Sequence, residues 1–411
     1  MASVSRRNGA MAAWLVAAGL VISAIAPKAL GFAADNPAPA TAHVYHVSAA
    51  ADGGGDGSAS APFASIGAAV AKAQPGDTVL VHAGVYPERV VITRSGRPDE
   101  PIVLRGAARE DVIIDASGSD RGIVVSGYHV DVRDLTVEDS RWWGIEVQGS
   151  YVNVNHVTVH GSQGAAVYFH TMRPDALHDD ALVNSRIYDN VLSNVSHDFN
   201  GNAWDSAVGT WGGPENYLAR DVRFEGNEIY HNHGEGVDCY IVNGCIVKYN
   251  RIHDNFSVNI YSDNATNVSF YCNFVYSNGD ALFFRRNKPA SGIQLADEIA
   301  DHPSKNISIL ANLVGGTYQP LRYGNYGHPT GLHDVEIAEN TFAPVPGAPA
   351  IILDSGNHFG STIVRNVLLG PVWGAAQGVV AERNTSVAAI PLDRPPPCAA
   401  EYRAEDIPEK N

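Results

Sequence analysis

Phe224-Glu225-Gly226-Asn227-Glu228-Ile229-Tyr230, Lys248-Tyr249-Asn250-Arg251-Ile252-His253 and Tyr271-Cys272-Asn273-Phe274-Val275-Tyr276 are three versions of one phrase. Their asparagines stand 23 residues apart, at 227, 250 and 273, and each is followed two positions on by an apolar residue. Related runs precede them at Val132-Arg133-Asp134-Leu135-Thr136-Val137 and Val154-Asn155-His156-Val157-Thr158-Val159. Others follow at Ala311-Asn312-Leu313-Val314, Ala338-Glu339-Asn340-Thr341-Phe342 and Val364-Arg365-Asn366-Val367-Leu368. Strands of about five residues recurring every ~22 residues cannot bury an apolar face alone, so the pattern predicts a coil whose turns stack their strands in parallel. Asn suits the bends because it tolerates left-handed backbone and hydrogen-bonds locally, and stacked Asn side chains can pair between coils. A β-sandwich would also have many strands, but it gives no reason for one residue type at one phase.

The rest of the composition agrees. The chain has 411 residues, 45% of them hydrophobic and 18% charged, which excludes a disordered polymer. Gly (40) and Pro (23) are abundant, as in a turn-rich β architecture. Acidic residues (44) outnumber Lys and Arg (28), and the net charge of −16 argues against a nucleic-acid partner that must track phosphates.

Residues 1–34 place Arg6 and Arg7 before an apolar run from Met11 to Ala26 and then small residues, which is the anatomy of a cleaved signal peptide. The run is short for a membrane span. Export to the periplasm or medium is expected, with no membrane attachment after cleavage, a linker over 35–42 and a monomeric solenoid over 43–393. Cys239, Cys245, Cys272 and Cys398 form neither a small-domain framework nor a CxxC metal pattern. Buried thiols are expected, and an exported chain also permits disulfides in any of three pairings.

Phe63-Ala64-Ser65-Ile66-Gly67-Ala68-Ala69-Val70-Ala71-Lys72-Ala73 has helical spacing and ends at Gln74-Pro75-Gly76-Asp77, so a short helix is expected to cover the first coil. At the other end Arg394-Pro395-Pro396-Pro397 stops the repeat, and 394–411 read as a loosely held tail. The stretch Asp56-Gly57-Ser58, Ala61-Pro62-Phe63-Ala64-Ser65-Ile66, Ala73-Gln74-Pro75-Gly76-Asp77-Thr78-Val79 and Gly84-Val85-Tyr86-Pro87-Glu88 resembles the opening of right-handed parallel β-helix proteins of the pectin-lyase-like superfamily. Ser95-Gly96-Arg97-Pro98-Asp99-Glu100-Pro101-Ile102-Val103-Leu104 is similar to the second coil of secreted polysaccharide lyases of that fold. The likeness spans about residues 43–390 and implies a right-handed, single-stranded parallel β-helix. Activity does not follow, since lyases, hydrolases, epimerases and non-enzymes share the architecture. The Asp-Pro-His motif of the alginate epimerases is missing, as is the Asn-Thr-Asp, Asp-Asp and Gly-His-Gly order of the polygalacturonases.

One strand per coil can be aligned on its two inward apolar residues. The copies are Ile123–Ser126, Ile145–Gln148, Val167–His170, Val208–Trp211, Val237–Tyr240, Val258–Tyr261, Leu282–Arg285, Leu321–Gly324 and Ile351–Asp354. The outward residues then include Glu146, Tyr168, His170, Trp211, Asp238, Tyr240, Asn259, Tyr261, Arg285 and Arg322. Coils lie ~4.8 Å apart, so Trp211, Tyr240 and Tyr261 are expected to form an aromatic strip beside Asp238 and Asn259. Such a strip suits a sugar chain, whose C–H faces stack on rings while its hydroxyls take polar partners. Insertions over 170–180, 196–205 and 286–304 leave the coil beside this face.

Three functions remain open. β-Elimination from a uronic-acid polymer needs a neutralised carboxylate, a base for the C5 proton and an acid for the leaving oxygen. Arg285 with Arg322 can neutralise, His170 or Tyr240 can take the proton, and Tyr261 can return one. Glu146, Asp238 and Asp263 can instead recruit Ca²⁺ to bridge a substrate carboxylate. A glycoside hydrolase would use two carboxylates. Glu146 and Asp238 fall ~14 Å apart and are too distant, which leaves Glu235 with Asp238. A non-catalytic glycan-binding solenoid would use the same strip; Glu146, Tyr168, Trp211, Asn259 and Arg322 are the expected substrate contacts in all three. His156, His160 and His253 recur near bends and read as structural, while His178, His197 and His233 are loop candidates.

Overall fold

The computed structural model describes residues 42–170, 179–183, 185–188, 190, 205–211, 219–299, 303–328, 330–374, 377–392 and 395–400. The proposed signal peptide, most of the proposed linker, His178, His197 and residues 401–411 lie outside the described residues.

Alternation decides the strands: Val130–Arg133 and Val152–Asn155 each bury their valines and leave the intervening polar residues half-buried. Each coil gives one strand to each of three parallel sheets, of 13, 11 and 12 strands, in a right-handed parallel β-helix. The inward residues form one continuous core along the axis, from Val47 to Leu368.

At one corner of each coil the repeated Asn builds a ladder. Asn227, Asn250, Asn273, Asn312, Asn340, Asn366 and Asn384 are linked in order, each Nδ2 donating at 2.9–3.0 Å to the Oδ1 of the next. That Oδ1 also accepts the preceding Asn's backbone N–H. Left-handed backbone falls one residue earlier than expected, on Tyr249, Cys272, Ala311, Glu339, Arg365 and Arg383. The asparagines are therefore placed by buried hydrogen bonding, which leaves few polar groups unmet inside the turn. A second ladder joins Asn190, Asn232 and Asn255 at another corner.

The helix at the first coil spans Ile66–Val70 and buries Ile66, Ala69 and Val70. It is shorter than its apolar spacing suggested because Phe63 bridges to Val47 as extended chain and Ser65 caps the helix, accepting from Ala68 N. All four cysteines are paired, as Cys239–Cys245 and Cys272–Cys398. The second bridge ties the short helical turn Pro397–Ala400 to the coil, so this part of the tail is anchored.

Two of the aligned strand copies are displaced. Leu282-Phe283-Phe284-Arg285 is not a strand of the sheet: Ala281–Phe283 form a 3₁₀ turn capped by Asp280, and Leu282 is 68% exposed. The coil's strand comes later, at Ser291–Ala296. In the neighbouring coil it is Ile260, not Val258, that pairs with Val237. A two-residue slip keeps every side chain on its own face, so apolar alternation alone could not choose between the two registers.

Candidate functional site

The strands Trp143–Val147, Val167–His170, Ser206–Trp211, Glu235–Tyr240, Val258–Asp263, Ser291–Ala296 and Leu321–Gly324 lie side by side in one sheet. Their register sets out one row as Glu146, Tyr168, Gly209, Asp238, Tyr261, Gln294 and Arg322. Two residues further on, a second row reads His170, Trp211, Tyr240, Asp263 and Ala296.

A cleft of about 400 Å³ opens over these rows. Five carboxylates line it, from Asp205, Glu235, Asp238, Asp263 and Glu298, together with rings of Trp142, Trp143, Tyr168, Trp211, Tyr240 and Tyr261. Among the described residues, no Lys or Arg lines it. Burial and then the neighbouring charges of Asp238 and Asp263 push Glu235 far above the usual carboxylate range. Asp238 rises through burial and then Asp263 and Glu298. Asp263 is pushed up to about 8 by burial and then by Glu298, against a hydrogen bond from the Glu298 backbone N–H. Burial raises Asp205 as well. Such crowding of like charge away from water favours protonated or cation-bound forms. The same burial and negative field raise Tyr240 and Tyr261, so both hold their protons. Tyr261 Oη donates to Glu298 Oε1 at 2.7 Å.

Asp238, Tyr240, Tyr261, Tyr168 and Trp211 meet in the cleft. Five other candidates have different surroundings. Asn259 is fully buried at the corner, where it accepts from Asn255 Nδ2 and donates to the Ser291 carbonyl, so it is a ladder residue and not part of the face. Arg285 sits outside the sheet in a tight turn closed on Lys288, because Arg286 and Asn287 take left-handed backbone there. Its guanidinium reaches Ser257 Oγ at 3.4 Å and lies within the field of Glu235, at the cleft's margin. Arg322 pairs with Asp354 at 3.1 Å. Glu146 accepts from Arg121 Nε at 2.8 Å and from Gln148 at 2.7 Å. His170 stands 3.6 Å from Glu146 and stacks on Trp211, with ring centroids 4.6 Å apart.

The alignment overlooked Trp142, Trp143, Asp205 and Glu298 as parts of the face. Trp143 lies two residues before Ile145 and Asp205 just before its strand, so extending each copy by a few residues would have shown both. Glu298 follows the strand Ser291–Ala296 and became visible only once that strand replaced 282–285.

Oxygen donors are the right chemistry for Ca²⁺, and Asp238 Oδ1 is buried without a hydrogen-bond partner. Among the described residues no three acidic, His or Cys side chains converge on one point as a complete metal site. A cation held here would have to take further ligands from water and substrate.

Residues 45–279 match the model of the Pel9A-like right-handed β-helix region. The chain belongs to this family. The matched span carries all of the cleft described above except Glu298. Among curated proteins, the pectate lyase PEL9 of Emericella nidulans is 34% identical over 119 residues, which are 27% of this chain and 28% of that protein. The chain therefore spans little over a quarter of this relative. Among solved structures, pectate lyase Pel9A superposes with a TM-score of 0.56 at 16% identity, covering 86% of this chain and 84% of that one. A rhamnogalacturonan lyase gives 0.55 at 12% identity, covering 83% and 87%. These likenesses bear on the fold of this family member. Among the described residues, no helix is long and apolar enough to cross a membrane.

Proposed function

We propose that this chain is an exported, Ca²⁺-assisted polysaccharide lyase that cleaves a pectate-like uronic-acid polymer by β-elimination. One observation carries the reading: among the described residues, five carboxylates and no Lys or Arg line an aromatic-walled cleft. An anionic glycan can enter such a cleft only with a cation between the two sets of charges. The partial PEL9 match supports pectate as the substrate class. The leader and the two disulfides support export, either secreted or periplasmic.

Glu235 and Asp238 are the groups we assign to Ca²⁺, with water and substrate completing its shell. A cation held by these two carboxylates would neutralise the substrate's C5 carboxylate and so acidify the C5 proton. Asp263, pushed up to about 8, takes that proton. The C5–H electron pair forms the C4=C5 double bond as the C4–O bond breaks. Tyr240, which keeps its proton in this field, gives it to the leaving oxygen. Tyr261, committed to Glu298, fixes the far wall. His170 backs the ring of Trp211 on which a sugar stacks, and Arg285 at the margin steers the anionic chain.

The test is incubation of the purified protein with pectate, in Ca²⁺ and then in EDTA, recording ultraviolet absorbance and reducing ends. Elimination gives both signals with Ca²⁺ and neither in EDTA. The raised, interacting pair Glu235 and Asp238 favours a second reading, a glycoside hydrolase with one protonated acid beside a carboxylate. That enzyme gives reducing ends without absorbance.

A further inference from the structure

The cleft extends past the carboxylates toward lower residue numbers. Ser206 pairs with Glu235, and the same register, carried back through Val208, Val167 and Ile145, places Ala165 and Trp143 in line with them. Between Trp143 and Glu235 this row thus holds only Ala165 and Ser206, two small residues that leave a trough along the helix axis. Its ends are three coils apart, ~14 Å.

Trp142 and Trp143 close the far end. Trp143 has neither face free: Arg121 lies over its ring at 4.8 Å, and Tyr168 stacks on it at 5.1 Å. Trp142 meets it edge-on, with centroids 6.3 Å apart and planes at 70°. Trp142 is 53% exposed and still lines the cleft. A large aromatic surface held open to solvent at the end of a trough is costly unless something covers it. Among the described residues, Arg121 is occupied by Glu146, and Arg141 by the Gly118 carbonyl and Asp120.

We propose that the exposed face of Trp142 is a further sugar subsite, which stacks on the C–H face of a pyranose ring about three coils from the carboxylates and does not require a carboxylate on that ring. Its ligand class rests on the glycan reading of the cleft but not on elimination. The polymer then lies along the β-helix axis, over Ala165 and Ser206. At this subsite a methyl-esterified or neutral sugar is accepted as readily as an acidic one.

The test compares wild type with Trp142→Ala and Trp142→Phe. Binding of an α-1,4-galacturonate hexamer is measured by calorimetry in Ca²⁺, with Asp263→Asn added to each protein to prevent cleavage, that of its methyl ester in EDTA, and turnover of pectate by the unaltered background in Ca²⁺. Trp142→Ala is expected to weaken both hexamers by about tenfold, the size of one lost aromatic contact, and Trp142→Phe by under about threefold. On pectate, Trp142→Ala is expected to raise KM about tenfold while kcat stays within about twofold. Equal binding by Trp142→Ala and wild type overturns the subsite, and so does failure of wild type to bind either hexamer. Weakening of the acidic hexamer alone overturns its indifference to charge. Trp142-dependent binding without any ultraviolet product removes the lyase and keeps the subsite; elimination with an unchanged KM in Trp142→Ala does the reverse.

Discussion

Tyr261 donates its hydroxyl to Glu298 at 2.7 Å and so joins the strand Val258–Asp263 to the segment that follows the next coil's strand. Both residues also sit beside Asp263: the Glu298 backbone N–H donates to Asp263 Oδ1 at 3.1 Å, and the Glu298 charge helps to raise its pKa. Tyr261→Phe is expected to leave the Glu298 carboxylate unanchored, lower kcat about tenfold and shift the pH profile of turnover, while changing stability by less than about 1 kcal/mol. Pre-steady-state ultraviolet kinetics and urea melts measure the two effects.

Asp263 couples activity to stability with opposite signs. Its folded pKa is about 8 against an ordinary 3.8, so the folded state binds the extra proton. Its favourable contribution is complete below pH 3.8 and is lost as pH rises toward and through 8. Asp263→Asn is expected to stabilise the cation-free protein at pH 9 by on the order of 2 kcal/mol, to be neutral at pH 3.5, and to lower kcat at least about 100-fold. Urea melts in EDTA at the two pH values check the first part; an Asn variant less stable at pH 9 would contradict it.

Glu146 behaves in the opposite sense. Burial would raise its pKa, but the nearby His170 ring and hydrogen bonds from Gln148 and Arg121 outweigh it and hold the carboxyl at about 2. This stabilisation is complete above pH 4.5 and disappears as pH falls through about 2. Glu146→Gln is expected to cost about 2 kcal/mol at pH 7, with the gap from wild type closing by pH 2. Chemical denaturation across that range is the measurement.

The asparagine ladder should be most sensitive at its centre. Asn273 accepts from both nitrogens of Asn250 and donates to the Val247 carbonyl and to Asn312. Asn273→Ala strands these buried groups and is expected to cost about 3 kcal/mol. Asn384, half-buried at the ladder's end, should cost about 1 kcal/mol when replaced by Ala. Equal losses at the two positions would show that the ladder is not what holds the corners.

Local sequence determined the coil. Asn227, Asn250 and Asn273 recur at one interval because each turn of a solenoid repeats the same bend, and Val and Ile alternate because each strand has one face inside. Inward positions such as Val208, Val237, Leu321 and Ile351 could be read for the same reason. The choice of Ile260 over Val258 could not be, since a shift by two residues preserves alternation and only the buried pairing of Asn255 with Asn259 and the neighbouring strand selects it. That choice sets Tyr261 beside Asp238 and Asp263 beside Tyr240. The turn at Ala281–Phe283 likewise displaces Arg285 from the sheet and allows Glu298 to reach the cleft. Which apolar residues lie inside is a property of each strand, whereas the crowding of Asp205, Glu235, Asp238, Asp263 and Glu298 arises between coils. The raised pKa values of Glu235, Asp238 and Asp263 follow from burial and the charge of their neighbours, which exist only once the coils are stacked.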